Sequence, residues 1–198
     1  MAKDIHNAAG YGSLKEVSRF LEKGIPVDAR DAGGGTPLAR AAKYNHVDIA
    51  EFLVANGATV DTQDDLGRTP LHLAASLGCE TVLRYLIRCR ANIEATEKRG
   101  ETPLMYAAAH AEYANAAALI EAGAKVNAQD TYGFSTLVHA FLIEARFPER
   151  LRVVNMLISA GANPALKDST GKTPVDVPAE IGKHPELVTL LQHAATQR

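Results

Sequence analysis

Thr-Pro-Leu stands at Thr36-Pro37-Leu38 and returns at Thr69-Pro70-Leu71 and at Thr102-Pro103-Leu104, 33 residues apart each time. A weakened copy, Ser135-Thr136-Leu137, follows after another 33 residues, and Thr173-Pro174-Val175 after a further 38. A fixed period of this length means one supersecondary unit copied along the chain, each copy too small to bury its apolar side alone. Six such periods account for all 198 residues. The functional question therefore moves from an enclosed pocket to an extended surface.

The segment 64–96 shows the unit most cleanly. Thr69 is a good N-cap, and Pro70 fits the first helical position, where a missing N–H costs nothing. A short helix is predicted to run to about Leu77 and to end at Gly78, which tolerates a left-handed backbone. A second helix follows from about Glu80 to Cys89, with Val82, Leu83, Leu86 and Ile87 as an apolar stripe. An extended stretch and an Asp-x-x-Gly turn then lead to the next Thr-Pro-Leu.

The other copies agree in register. One second-helix column holds Val17, Ala50, Leu83, Ala116, Val154 and Leu187. The next holds Phe20, Leu53, Leu86, Leu119, Leu157 and Leu190, and a third Leu21, Val54, Ile87, Ile120, Ile158 and Leu191. All eighteen are apolar in a chain that is 46% hydrophobic. Pairs of small residues, Ala8-Ala9, Ala41-Ala42, Ala74-Ala75 and Ala107-Ala108, would let first helices approach closely.

On these residues the chain resembles the ankyrin-repeat family. The Thr-Pro-Leu copies, the Ala-Ala pairs, His72 after Leu71, and the steps Gly57-Ala58, Gly123-Ala124 and Gly161-Ala162 carry the likeness. The resemblance implies an all-α repeat solenoid: stacked helix-turn-helix units with β-hairpin loops projecting from them. Its concave face would be lined by first helices and hairpin tips, and its usual activity is binding another macromolecule. The expected organisation is a single domain, 1–198. Its units run approximately 1–35 (N-terminal cap), 36–68, 69–101, 102–134, 135–172 with a five-residue insertion, and 173–198 (C-terminal cap). Lys3-Asp4-Ile5 at one end, and Lys183, His184, Glu186, Gln192 and His193 at the other, suggest capping units, so the fold is expected to be complete.

Three departures stand out. Arg90 occupies the place of Gly57 and Gly123, where a left-handed backbone would cost a non-glycine residue roughly 1–2 kcal/mol. His72 is matched by Ala39, Met105, Val138 and Asp176, so the histidine's local bonding should be missing from most units. Pro178 lies inside its helix and predicts a kink or early end. The insertion falls within 142–150 (LIEARFPER), where either a helix grows by about a turn with Phe147 tucked beneath it, or a turn protrudes toward a partner.

Chemistry is not encoded in any motif. Gly33-Gly34-Gly35-Thr36 lacks the lysine of a phosphate loop, and seven histidines fall in different units without a ligand pair at i, i+4. Cys79 has no orienting partners for nucleophilic work, and Cys79 and Cys89, expected ten residues apart in one short helical segment, cannot reach each other. No cofactor, no metal and no enzymatic activity are expected. Net charge is −2, which does not favour nucleic acid, and no apolar run is long enough to span a bilayer. Without a signal-like leader the chain is expected to be cytoplasmic, and monomeric.

Carried over from the resemblance, the protein-binding positions are Tyr11, Arg40, Tyr44, Leu66, Arg68, Leu77, Lys98, Arg99, Tyr106, His110, Tyr132, Phe134, His139 and Ile143. Tyrosine and arginine are the types that anchor interfaces. The expected function is a non-enzymatic scaffold or adaptor gripping another protein on the concave face. A second reading is a small regulatory inhibitor of a partner enzyme. A remote one is nucleic-acid binding through Arg84, Arg88, Arg90, Lys98 and Arg99. Asn127 also resembles the asparagine that ankyrin hydroxylases modify in animals.

Overall fold

The computed structural model describes residues 4–142, 147–176 and 185–196. Eleven helices alternate in two layers along the described chain. The first layer is α1 (Ile5–Gly10), α3 (Pro37–Lys43), α5 (Pro70–Ser76), α7 (Pro103–Ala109) and α9 (Thr136–Leu142). The second is α2 (Leu14–Glu22), α4 (Val47–Ala55), α6 (Glu80–Arg88), α8 (Tyr113–Glu121) and α10 (Phe147–Ser159). The last helix, α11 (Pro185–Thr196), buries Leu187 and Leu191 in the same core. Each of the helices α1–α10 packs on its sequence partner and on the equivalent helix of the neighbouring unit. The result is a stack with one continuous apolar spine.

The Thr-Pro-Leu copies do what their chemistry dictates. Helices α3, α5 and α7 each begin at the proline, with Thr36, Thr69 and Thr102 as N-caps in extended conformation. Leu38, Leu71 and Leu104 are buried, and the Ala-Ala pairs between them and the turn are fully enclosed. Of the three aligned columns, the first is buried at every position, from Val17 to Leu187. The third lies mostly at the edge of the core, with Leu21, Val54, Ile87, Ile120 and Ile158 half-buried.

The Gly-Ala steps are helix C-caps. In α4 the Ala58 N–H donates to Leu53 O and the Gly57 N–H to Val54 O, both at 3.0 Å, which is the Schellman arrangement. The glycine takes φ +88° and the following alanine tucks into the core. After α6 the Arg90 N–H donates to Ile87 O and the Ala91 N–H to Leu86 O in the same arrangement, with Arg90 at φ +61°. The third unit therefore tolerates the left-handed arginine and does not bend around it.

His72 ties the start of its unit to the end. The Thr69 N–H donates to its Nδ1 at 3.2 Å, and its Nε2 lies 3.1 Å from Glu101 O, just before the next Thr-Pro-Leu. The cap survives elsewhere by other means: the Thr102 N–H reaches Met105 Sδ at 3.4 Å, and the Thr173 N–H reaches Asp176 Oδ2 at 2.7 Å. The bonding expected to be missing from most units is therefore kept at Met105 and Asp176 by other acceptors, while Ala39 and Val138 carry no side-chain acceptor. Because Nδ1 must accept from Thr69, the ring is neutral, with the proton on Nε2. Burial pushes its pKa below the ordinary value, outweighing the opposite pull of the Glu101 carbonyl and nearby carboxylates. A histidine depressed in the fold contributes stability that is present above its unfolded pKa of 6.5 and is lost as pH falls below that value. Melting temperature is expected to drop between pH 7.5 and 5.5, and to drop less in His72→Met, which copies the cap of the next unit. An identical drop in both proteins would assign the effect elsewhere.

The helix α10 has 13 residues where α2, α4, α6 and α8 have 9, so part of the insertion extends this helix by one turn. The side chain of Phe147 and the segment around Pro178 lie outside the described residues.

Candidate protein-binding face

The loops between units are built around a repeated acid. Asp31, Asp64, Glu97, Asp130 and Asp168 each accept two backbone N–H bonds, from residues two and four further on. Each tip is then tied to the next through the backbone. The N–H groups of Asp65, Lys98, Thr131 and Ser169 donate to the carbonyls of Gly33, Leu66, Arg99 and Tyr132, at 2.9–3.1 Å. The hairpins are thus tight turns laced side by side. Among the described residues their one β-bridge is Gln129 to Ser135.

This lacing fixes two rows of side chains. Tyr11, Tyr44, Leu77 and His110 are the C-cap residues of α1, α3, α5 and α7, one per unit. All are exposed, Tyr11 at 77% and Tyr44 and Leu77 at 49% each. A C-cap has left the helix, so its side chain turns outward while its backbone closes the last turn. The second row is Leu66, Arg99 and Tyr132, whose side chains stand out from the laced tips. Leu66 and Tyr132 are 53% and 54% exposed. Depressions between the rows are lined jointly by tips and first helices. One, of about 360 Å³, is bounded by Arg99, Glu101, Tyr106, Ala109, His110, His139 and Leu142.

The remaining expected positions are placed less freely. Arg40 pairs with Asp31 at 2.6 Å, and Arg68 with Asp64 at 2.7 Å. Lys98 is exposed, and Phe134 is half-buried against Tyr132, with ring centroids 6.0 Å apart. Tyr106 is half-buried, edge-on to His72 at 5.2 Å, and burial pushes its phenol to a pKa of about 12. It therefore belongs to the frame as much as to the surface.

His139 requires a correction. It is only 2% exposed, and its Nε2 sits 3.1 Å from Asp130 Oδ2, so it offers no contact area of its own. Its place in the 33-residue register is that of Arg40, Leu73 and Tyr106, the innermost position of the first helix. Ile143 lies outside the described residues. Leu142, 47% exposed, is an apolar residue beside the same groove.

The arginines of the third unit are mostly engaged. Arg84 bonds Glu80 and Glu121, Arg88 lies over Tyr85, and Arg99 pairs with Glu101. No unbroken cationic stripe forms among these residues. Asn127 uses its amide between units, accepting from the Asn163 N–H and donating to Gly161 O.

Two family models match the sequence: ankyrin repeats (3 copies) over residues 54–130, and ankyrin repeats (many copies) over residues 21–74. Together they span more than half of the chain. The chain belongs to the ankyrin-repeat family. Ankyrin repeats are generally protein–protein interaction modules and are typically non-enzymatic. Among curated relatives, acyl-CoA-binding domain-containing proteins 1 and 2 of Arabidopsis thaliana are each 44% identical over 50 residues. Those segments cover 25% of this chain and 15% and 14% of the respective relatives. A putative ankyrin repeat protein of fowlpox virus, FPV223, is 35% identical over 51 residues, 26% of this chain and 36% of its own length. The chain thus matches only a minor part of each relative. No helix among the described residues is long and apolar enough to cross a membrane.

Proposed function

We propose that this ankyrin stack is a scaffold or adaptor that holds another protein along the face made by its first helices and turn tips. The reading rests chiefly on the C-cap row of Tyr11, Tyr44, Leu77 and His110. Four exposed side chains, three of them large and apolar or aromatic, recur at one register position. Folding gains little from leaving Tyr44 and Leu77 half in water, whereas an interface gains from burying rigid aromatic and aliphatic groups. The tip row adds Leu66 and Tyr132 on the other side of the same depressions.

Tyr106 is a poor probe of this idea, since its ring braces His72. The double substitution Tyr44→Ala/Leu77→Ala tests it on exposed positions. Partners captured from the native host by affinity purification should be lost, and affinity for a purified partner should fall at least about tenfold. The variant's circular dichroism should be unchanged. Full retention of every partner by a folded double variant would defeat the proposal.

A further inference from the structure

One buried cluster lies outside this reading. Glu101, Asp130 and His139 come from two successive turn tips and from α9, and their ligand atoms all lie within 4.8 Å of one another. They are 7%, 8% and 2% exposed; Glu101 and His139 line the groove bounded by Tyr106, His110 and Leu142, and Asp130 bonds His139. We propose that Glu101, Asp130 and His139 form a binding site for a divalent transition-metal ion of the Zn²⁺ class.

The donor set is suited to it. One imidazole nitrogen and two carboxylate oxygens are the ligands of an open zinc site, in which a fourth position is left to water or another donor. A tetrahedral ion with bonds of about 2.1 Å holds its ligands about 3.4 Å apart. His139 Nε2 and Asp130 Oδ2 already stand at 3.1 Å, so only the Glu101 carboxylate must close in. Asp130 is oriented from behind: its Oδ1 accepts the N–H groups of Tyr132 and Phe134, leaving Oδ2 for His139. Fixing a carboxylate in this way is what outer partners do for metal ligands. The groove supplies the entry path and room for the fourth ligand.

Comparison between units adds the electrostatic case. The tip acid Asp31 of the first unit is neutralised by Arg40 of the second, a permanent cation. The same register position in the fifth unit is His139, which brings no permanent cation to Asp130. The column of Arg68 also changes sign here, because Glu101 replaces it one unit later. Glu101 thus pairs with Arg99, whose side chain is 60% exposed and can swing away, while Asp130 faces His139. A divalent cation would balance the pair. Binding would replace the His139–Asp130 hydrogen bond by joint coordination, with the proton of the neutral ring moving from Nε2 to Nδ1.

The test is calorimetric titration of the full-length, chelator-stripped protein with ZnSO₄ at pH 7.5. One ion per chain is expected. His139→Gln should weaken binding at least about tenfold, a lower bound set by the effect of outer partners alone. Arg99→Ala should tighten it by removing the competing cation. His110→Gln, on the groove wall but outside the triad, should leave it unchanged. Co²⁺ in place of Zn²⁺ should give visible ligand-field absorption that His139→Gln abolishes. Melting curves establish that each variant is folded. Absence of binding to the folded wild type would overturn the site, as would binding that survives His139→Gln or is lost equally in His110→Gln. The outcome is independent of whether the exposed rows hold a protein partner.

Discussion

Leu71→Ala is expected to destabilise the protein by about 2–5 kcal/mol, measured as a fall in the urea midpoint. Leu71 is fully buried in α5, which packs against both α3 and α7. The lost methyl groups forfeit their transfer energy and leave a cavity between three helices. A stack lacks the redundancy of a globule, because each unit is stabilised mainly by its neighbours. Weakening the third unit therefore loosens two interfaces, and the transition should broaden as well as shift. Leu66→Ala supplies the contrast. That side chain is 53% exposed on a turn tip, so its removal should change stability by no more than about 0.5 kcal/mol. If Leu66→Ala cost as much as Leu71→Ala, the exposed tip row would be part of the core, and its use as a binding surface would collapse with that.

Local chemistry made the helices legible in the sequence. A threonine N-cap and a proline at the first position fix where α3, α5 and α7 begin, whatever the surroundings. The second helix predicted over 80–89 is found at Glu80–Arg88. Exposure of Tyr11, Tyr44, Leu66, Leu77 and Tyr132 was legible too, because register alone separates C-caps and tips from core columns. What the sequence hid are contacts made across units. His139 looked like a surface residue until the tip of the preceding loop brought Asp130 to its Nε2. Glu101 lies 38 residues before His139, and nothing in either sequence neighbourhood says that laced tips make them neighbours. Met105 in the role of a histidine escaped for a different reason. A thioether is a weak acceptor, and its use here follows from enclosure between helices and not from residue type.

Gly133→Ala should cost about 2–3 kcal/mol, the second largest effect expected of a single substitution. Gly133 has φ +78°, where a side chain costs roughly 1–2 kcal/mol by itself. An added Cβ would also stand 2.7 Å from Ser169 N and 3.1 Å from Asp168 Cα. Something must move, and what moves is the Ser169 N–H bond to Tyr132 O that laces the last two tips, worth about 0.5–1.5 kcal/mol. Gly123→Ala separates the two causes. It has φ +93° with nothing within 4 Å of an added Cβ, so it should show backbone strain without the broken lace. Urea denaturation of both variants should therefore put Gly133→Ala at least about 0.5 kcal/mol below Gly123→Ala. Equal losses would mean that the tips are not coupled through these bonds. A larger loss at Gly133 would establish the lacing as the element that holds Tyr132 and Arg99 in line, and Gly133→Ala would then weaken partner capture even under conditions where the stack stays folded.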